Sequence, residues 1–434
     1  MTINNTAYQS SEATVSQNGL SIEQVEAMIL KDMDMDIPPT RDLGRFQQRC
    51  ISTIAHLWNA PSDENYYGTG ATGSSEAVML GGLVMKRRWQ LKNTARPDAP
   101  INVVMGSNSH VCITRFADFF DVEARIVPVS QQYTLDAEKI EDYLDENTIG
   151  VFLTLGSTYS GHFDPVAKVA DILDTYQDKT GYDIPIHVDA AGGGFVAPFT
   201  PNNGKFVWDF RLPRVKSINA SGHKYGLCPL AIGWVIWQDK SFIPSDLIHE
   251  SCYLRGIQAS FSLSFSKSST PIVYQYLNFL QKGLNGYRET IQSCLENARV
   301  VSEGLESSGY FRCLSDIHRL QSGAKQQLGS RSLCKEEMIP GLPVVVFRLS
   351  DRFKREHPSF RLTDISDIMH QQRYSIPYYT IPGWGPEGED IEVMRIVVRE
   401  DFTSKTAKEV LAGVCGAVTG ALGFHTTDMG SSKS

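Results

Sequence analysis

Short apolar runs alternate with longer helical patterns between about residues 70 and 240 of this chain. Such alternation is typical of parallel strands joined by helices, because two parallel neighbours need a long crossover connection. The predicted strands cover residues 101–105, 124–129, 151–155, 185–188, 217–219 and 232–237, and the predicted helices cover 76–91, 166–180 and 270–307. In open sheets of this kind, ligands bind beyond the carboxyl ends of the strands. We therefore expect the functional residues there.

The pattern changes after about residue 308. A polar, irregular stretch at about 313–340 predicts an exposed insertion, and the elements predicted after it are a strand at 343–349, a helix at 363–371 and a strand at 393–398. Together they predict a small C-terminal α+β domain. The predicted divisions are an N-terminal segment with a flexible start and then a helix (1–50), a large domain (51–308), and the small domain with a loose tail (309–434).

Bulk composition narrows the function classes. A formal charge of −8 lacks the basic excess of nucleic-acid-binding proteins. No apolar run approaches the ~18 residues of a membrane span, and residues 1–19 are polar, without the pattern of a secretory or import signal. The eight cysteines are scattered and show no metal-ligand spacing. These features predict a cytoplasmic protein with reduced thiols, no metal site, and no nucleic-acid or membrane partner.

A lysine and an aspartate indicate the chemistry. Lys224 has mostly apolar neighbours, and a partly desolvated lysine loses its proton readily enough to form a Schiff base. Asp189 ends a predicted buried strand, where a carboxylate needs a charged partner such as a protonated pyridine nitrogen. The pair predicts a site for pyridoxal 5'-phosphate (PLP). A metal bound by His187 and Asp189 is the alternative, but no third ligand follows nearby.

A series of motifs extends from about residue 45 to 400. In chain order they are Gly73-Ser74-Ser75-Glu76-Ala77, Met79-Leu80-Gly81-Gly82, Lys86-Arg87-Arg88-Trp89, Asn147-Thr148-Ile149-Gly150-Val151, residues 187–199, residues 208–217, Gly233-Trp234-Val235-Ile236-Trp237 and Val393-Met394-Arg395-Ile396. In this series the chain resembles the PLP-dependent group II amino-acid decarboxylases, and within them the glutamate decarboxylase branch. The resemblance implies PLP fold type I, with a mostly parallel seven-stranded sheet flanked by helices, and a homodimer with its sites at the subunit interface.

The resemblance also implies a set of phosphate-binding residues. Ser74 and Ser75 open a predicted helix, whose free backbone N–H groups favour an anion. The same hydroxyls are equally explained as a helix N-cap. By resemblance, Ser221 and His223 complete this phosphate cup, and Ser266 reaches the phosphate of the neighbouring subunit.

Three further residues are implied to contact the cofactor ring. Ala191 lies in a run of small residues that lets the flat ring lie against the backbone. His110 matches a position where many group II decarboxylases stack a histidine on the ring, whereas the glutamate branch has glutamine; a surface or core histidine is the alternative. Thr158 is implied to lie near the phenolic oxygen of the cofactor or the substrate carboxylate.

The substrate residues rest on the same resemblance. Arg395 corresponds to the arginine that binds the substrate α-carboxylate as a two-pronged donor, although it also fits an ordinary strand residue. Tyr253 corresponds to a loop tyrosine that returns a proton after CO₂ leaves, or is a structural loop residue. Gln47 stands where the family has an acidic residue, and the family's segment for the distal carboxylate is not found before it.

The predicted function is removal of the α-carboxylate of an L-amino acid as CO₂ to give an amine. Conversion of glutamate to 4-aminobutanoate is the leading reaction, but Gln47 leaves the side-chain pocket open. An alternative is elimination, replacement or oxidative deamination of another amino acid with the same cofactor. A non-catalytic scaffold is a third alternative, and the joint presence of Lys224, Asp189 and Arg395 opposes it.

Overall fold

The computed structural model describes residues 17–32, 39–61, 65–96, 98–201, 206–251, 258–264, 267–321, 338–385 and 387–428. The described helices are α1 (Ile22–Asp32), α2 (Pro39–Leu57), α3 (Ser74–Lys92), α4 (Val111–Phe119), α5 (Val166–Thr180), α6 (Thr270–Ser307), α7 (Asp351–Glu356), α8 (Leu362–Gln371) and α9 (Ser404–Asp428). The strands are β1 (Tyr67–Ala71), β2 (Asn102–Gly106), β3 (Glu123–Val127), β4 (Thr148–Thr154), β5 (Ile186–Asp189), β6 (Val215–Ser221), β7 (Gly233–Trp237), β8 (His249–Ser251), β9 (Gln258–Ser260), β10 (Phe311–Cys313), β11 (Val344–Leu349), β12 (Tyr378–Ile381) and β13 (Ile391–Val397). Short 3₁₀ helices cover Ala137–Tyr143, Gly193–Phe195, Ala197–Phe199, Lys240–Phe242 and Ser245–Leu247.

The main sheet has seven strands in the order β1-β7-β6-β5-β4-β2-β3. Strand β7 runs antiparallel to both of its neighbours, and the other six strands run in one direction. Every residue of β4 is buried, as expected for a strand with both faces covered. The predicted mostly parallel seven-stranded sheet is therefore confirmed.

Side chains on alternate residues of the central strands face two different layers. Ile186 and Val188 of β5 join the core formed with α2, α5 and α6. His187 and Asp189 point to the opposite face, where α3 packs: the His187 ring lies directly under Gly81 of that helix. The polar residues of β5 therefore lie beneath α3, on the face that carries the site.

The predicted helices at 166–180 and 270–307 are confirmed as α5 and α6. Gly181 ends α5 in the left-handed conformation that glycine adopts readily. Helix α6 is interrupted at Gly283, where φ is 59° and ψ is −179°. Such a backbone favours glycine, and a Cβ there would lie 2.5 Å from the carbonyl carbon of Asn18. The interruption lets residues 17–20 pack against α6, with Asn285 N–H donating to the Gln17 carbonyl (2.7 Å).

A second, four-stranded sheet follows in the order β10-β11-β13-β12, and all of its pairs are antiparallel. Its core includes residues of α8 and α9. The proposed polar insertion begins with packed residues, because Cys313, Leu314 and Ile317 are buried. Residues 322–337 of that stretch lie outside the described residues. Among the residues that the structure describes, every helix is too short or too polar to cross a lipid bilayer.

One buried histidine connects the two sheets. His162 lies at the end of the turn that follows β4, and its backbone carbonyl accepts from the N–H groups of Gly156 (3.1 Å) and Ser157 (2.9 Å). Its Nε2 lies 3.1 Å from Asp316 Oδ2, and its buried Nδ1 has no partner among the described residues. Burial, assisted by Arg319, lowers the pKa of His162 to about 4. The ring is therefore neutral at pH 7.

This histidine makes stability depend on pH. The unfolded chain binds a proton at His162 below about pH 6.5, whereas the folded protein resists protonation down to about pH 4. Stability present at neutral pH is therefore lost as the pH falls through that window. We expect His162 alone to lower the free energy of unfolding by about 2 kcal/mol between pH 7 and pH 5. Urea denaturation at each pH measures this, and His162→Gln should flatten the profile; an unchanged slope in that variant would contradict the assignment.

Candidate active site

A cavity of about 250 Å³ lies where strands β5 and β6 end beside the first turn of α3. Its lining residues are Gly73, Ser74, Ser75, His110, Cys112, Thr154, Gly156, Thr158, Asp189, Ala191, Ser221, His223 and Lys224. Every residue predicted to bind the cofactor is in this set except Ser266, which lies outside the described residues. Cys112, Thr154 and Gly156 were not predicted. A second cavity of about 450 Å³ borders α2 and α6 and contains none of the predicted residues.

The first turn of α3 forms one wall of the cavity. Gly73 is its N-cap, without a side-chain hydrogen bond, and Ser74 and Ser75 are the first two helical residues. The N-cap interpretation of these hydroxyls is therefore wrong. Ser221 Oγ donates to Ser74 Oγ (2.8 Å), which joins the end of β6 to the helix start. Free N–H groups and hydroxyls thus meet at one point, as an anion site requires.

Asp189 is buried at the end of β5. Its Oδ1 accepts from the Asn219 side-chain amide (2.9 Å) and from the backbone N–H of Ala191 (3.1 Å). No described residue hydrogen-bonds to Oδ2, and the residue lines the cavity. One carboxylate oxygen is therefore fixed by the protein, and the other is available to a ligand.

Lys224 follows β6 in a turn, with its backbone N–H donating to the Ser221 carbonyl (3.3 Å). Among the described residues, none forms a hydrogen bond or ion pair with its Nζ. His223, beside it, has its Nδ1 3.1 Å from the Ile232 carbonyl oxygen, which fixes the ring. Burial lowers the pKa of His223, and the neighbouring charges of Lys224 and Arg399 act in the same direction.

His110 has a structural role as well as a place in the cavity. It is the N-cap of α4, and its Nδ1 accepts from the backbone N–H of Cys112 (3.2 Å). An accepting Nδ1 carries no proton, so the neutral ring has its proton on Nε2. Burial lowers the pKa of His110; Asp189 opposes this shift and Lys224 adds to it. Helix α4 was not predicted, and it orients this imidazole.

Arg395, on β13 of the second sheet, does not line the cavity but contacts Thr158, which does. Its guanidinium donates to the Thr158 carbonyl (2.9 Å) and lies 5.7 Å from the centre of the Tyr379 ring. Its Nε is buried and has no partner among the described residues. A buried guanidinium N–H without a partner is costly. The site therefore offers a donor suited to a carboxylate next to Thr158.

Comparison with known proteins decides the family. The model of the pyridoxal-dependent decarboxylase conserved domain matches residues 26–320. The chain belongs to this decarboxylase family. It is 42% identical over 388 residues to a glutamate decarboxylase of Petunia hybrida, covering 88% of this chain and 70% of that protein. It is 39% identical over 425 residues to the glutamate decarboxylase of Saccharomyces cerevisiae, covering 93% and 73%.

A solved structure supports the same assignment for the decarboxylase. The glutamate decarboxylase of Lactobacillus brevis superposes with a TM-score of 0.78 at 30% identity, covering 94% of this chain and 88% of that one. The protein is therefore a PLP-dependent amino-acid decarboxylase, as the motif series predicted. Its cavity fits the cofactor in three respects: a lysine amine with no partner among the described residues, a buried aspartate with one available oxygen, and free N–H groups at a helix start.

Two predicted residues of the decarboxylase, Arg395 and Gln47, are not among those that line the described cavity. Gln47, on α2, has its Oε1 3.3 Å from the position of a Cβ on Gly70 of β1 and does not line the cavity. Tyr253 lies outside the described residues. Their suggested contacts with substrate and with the reacting carbon stay predictions.

The sequence analysis did not predict the structural role of Glu76, a carboxylate next to the phosphate cup. Glu76 Oε2 accepts from the backbone N–H (2.8 Å) and hydroxyl (2.7 Å) of Thr72. Its Oε1 accepts from the backbone N–H groups of Leu263 (3.1 Å) and Ser264 (3.4 Å). Burial opposes ionisation, but these bonds and the charge of Lys267 outweigh it and lower the pKa of Glu76. An acidic residue directly after paired serines at a helix start was the available signal.

Proposed function

We propose that this decarboxylase converts L-glutamate to 4-aminobutanoate and CO₂. The observation that carries decarboxylation is Arg395, whose buried Nε has no described partner and whose guanidinium is held beside Thr158. The choice of glutamate rests on the relatives, which are glutamate decarboxylases in a plant and in yeast.

In this proposal the protein groups orient the substrate and stabilise charge. Arg395 would bind the α-carboxylate as a fork and so fix the direction of the bond that breaks. Thr158 and Arg395 form one unit, because the guanidinium donates to the threonine carbonyl. Tyr253 would return a proton to the α-carbon and exclude water.

Eight residues are assigned to the cofactor itself, three to its ring and five to its phosphate. Bound PLP supplies a ring that accepts the electrons released when CO₂ leaves. Lys224 would carry it, Asp189 would keep its pyridine nitrogen protonated, and the neutral imidazole of His110 would stack on it. Ser74 with Ser75, Ser221 and His223 would bind the phosphate, and Ser266 would do so from the neighbouring subunit.

Arg395→Lys tests the carboxylate fork. Lysine keeps the charge but loses the bidentate geometry, so we expect kcat/KM to fall about 100-fold, in line with loss of one partner of a charged pair. The matched control is Arg348→Lys on β11 of the same sheet, where the arginine bonds Asp351 (2.6 Å) at the surface. That variant should keep full activity. Equal activity of both variants would contradict the role of Arg395.

A substrate panel tests the choice of glutamate. Released CO₂ and amine are measured with L-glutamate, L-glutamine, L-aspartate and L-2-aminoadipate. We expect kcat/KM for glutamate to exceed each of the others by at least about tenfold, because L-aspartate and L-2-aminoadipate differ from it by one methylene and L-glutamine lacks the distal charge. Faster release from another amino acid would retain the decarboxylase and overturn the substrate.

We further propose a cytoplasmic homodimer with the domain division given above. The dimer is supported by the family resemblance. The cytoplasmic location is supported by reduced thiols, because the six cysteines in the described part of the chain are all free. Light scattering on the purified protein tests the dimer, and a single-subunit mass at working concentration would contradict it.

A further inference from the structure

A row of polar side chains lies behind Asp189, on the sheet face beneath α3. His187 and Asp189 alternate along β5, and Ser217 and Asn219 occupy the paired positions of β6. His187, Ser217 and Asn219 are fully buried, and Asp189 is 3% exposed. Buried polar groups are expensive unless they are hydrogen-bonded. This row therefore needs an explanation beyond packing.

The hydrogen bonds in the row have a single consistent direction. Asp189 can only accept when ionised, so Asn219 must present its N–H to it (2.9 Å). The Asn219 oxygen then faces His187 Nε2 (2.8 Å), which must carry the ring proton. His187 Nδ1 is left to accept from the Ser217 hydroxyl (2.7 Å). Each donor in the chain from Ser217 to Asp189 thus has one acceptor.

The imidazole of His187 is held neutral in this arrangement. Burial lowers its pKa to about 4, although Asn219 and Asp189 act in the opposite direction. A neutral ring with its proton on Nε2 is the form that the direction of the bonds requires. These hydrogen-bonded residues therefore present an N–H donor to Asp189 without placing a second charge beside its carboxylate.

Helix α3 leaves space for this ring at one position. A Cβ on Gly81 would lie 2.4 Å from both Cε1 and Nδ1 of His187. Glycine inside a helix costs about 1 kcal/mol relative to alanine, so its presence here is explained by close approach of the imidazole. Helix α3 therefore has a residue of low helix propensity, Gly81, at the position where the His187 ring packs against it.

We propose that Ser217, His187 and Asn219 form a positioning relay that fixes the orientation of Asp189. The relay occupies Oδ1 and so directs Oδ2 into the cavity, toward the pyridine nitrogen of the cofactor. His187 and Asn219 act through Asp189 and do not touch substrate. The inference rests on the proposed role of Asp189, and it adds residues that the motif series did not assign.

The test is the affinity of the apoprotein for PLP, measured by titration of the visible absorbance of the lysine-bound cofactor. Asn219→Leu removes a donor from Asp189, and His187→Phe keeps the ring volume but removes both bonds. We expect each variant to raise the dissociation constant of PLP about 10-fold, the effect typical of outer partners of a ligand-binding residue. The pH titration of the absorbance should also shift. His187→Gln, which keeps an amide N–H, should restore part of the affinity.

Val188→Ala is the matched control, because this residue is equally buried on β5 but faces the opposite layer. It should lower the melting temperature of the apoprotein and leave PLP affinity unchanged. Wild-type affinity and absorbance in both His187→Phe and Asn219→Leu would overturn the relay and leave only a packing role. Failure of the wild-type protein to develop the absorbance would instead contradict the proposed roles of Lys224 and Asp189, so the two failures are distinguishable.

Discussion

Lys224→Ala is expected to abolish both the visible absorbance of bound PLP and the release of CO₂. Lys224 lines the cavity, and no described residue forms a hydrogen bond or ion pair with its amine. In the proposed role, its loss would remove both the covalent attachment of PLP and a general acid–base group. General acid–base function alone contributes about 10²- to 10⁴-fold, so we expect CO₂ release to fall by at least about 10⁴-fold. Single-turnover release of labelled CO₂ measures this.

Lys216→Ala provides the control for this variant. Lys216 lies on β6, the strand that precedes Lys224; it is half-buried and donates to Gln238 (3.4 Å) away from the cavity. It should retain the absorbance and the activity. Lys224→Arg keeps the charge but cannot form the Schiff base, so it should behave as the alanine variant does. Turnover of Lys224→Ala above about a hundredth of the wild-type rate would contradict the assignment.

Asp189→Asn is expected to separate cofactor binding from turnover. The amide is isosteric and can still accept from Asn219 through its oxygen, but it cannot hold the ring nitrogen in its protonated form. Losing one partner of a buried ion pair costs about 3–5 kcal/mol, which corresponds to a fall in kcat of about 10²- to 10⁴-fold. Lys224 and the phosphate cup remain, so the variant should still bind PLP. Absorbance titration and CO₂ release, measured on the same preparation, check both statements.

Asp209→Asn is the matched control for Asp189→Asn. Asp209 is 2% exposed and bonds Asn59 (2.8 Å) and Arg211 (2.7 Å) in the other cavity. Removing its charge should lower the melting temperature without changing kcat per bound cofactor. If Asp189→Asn lost no more turnover than this variant, Asp189 would be a structural residue only.

Much of the sheet could be predicted because its strands carry local signals. Strand β4 contains the apolar run of residues 151–153, and α5 ends at a glycine, so hydrophobic pattern and terminating residue agree with the structure. Strand β1 reads Tyr-Gly-Thr-Gly-Ala, and its two glycines oppose a strand prediction. It forms because β7 pairs with it along its whole length. That contact is distant in sequence and has no local signature.

In the candidate site, too, residues with local sequence signals were predictable, and roles that depend on contacts distant in sequence were not. Lys224 and Asp189 were predictable from their local sequence and Ser221 from the family resemblance, and strand ends converge at one edge of the sheet. The role of Glu76 was not, since its partners at residues 263 and 264 come from a distant segment. The relay through His187 depends on the register of β5 against β6, which shifts between Ile186 and His187. A sequence alone does not reveal that pairing.

The most direct test of the account follows the α-carboxyl carbon. The protein purified with PLP is incubated with L-glutamate labelled at the α-carboxyl carbon, and labelled CO₂, 4-aminobutanoate and keto acid are quantified together. The account predicts CO₂ and amine in equal amounts, with no label left in a keto acid, and none of these products from Lys224→Ala. Label retained in a keto acid, with the cofactor bound but no CO₂ released from any amino acid of the panel, would contradict the decarboxylase.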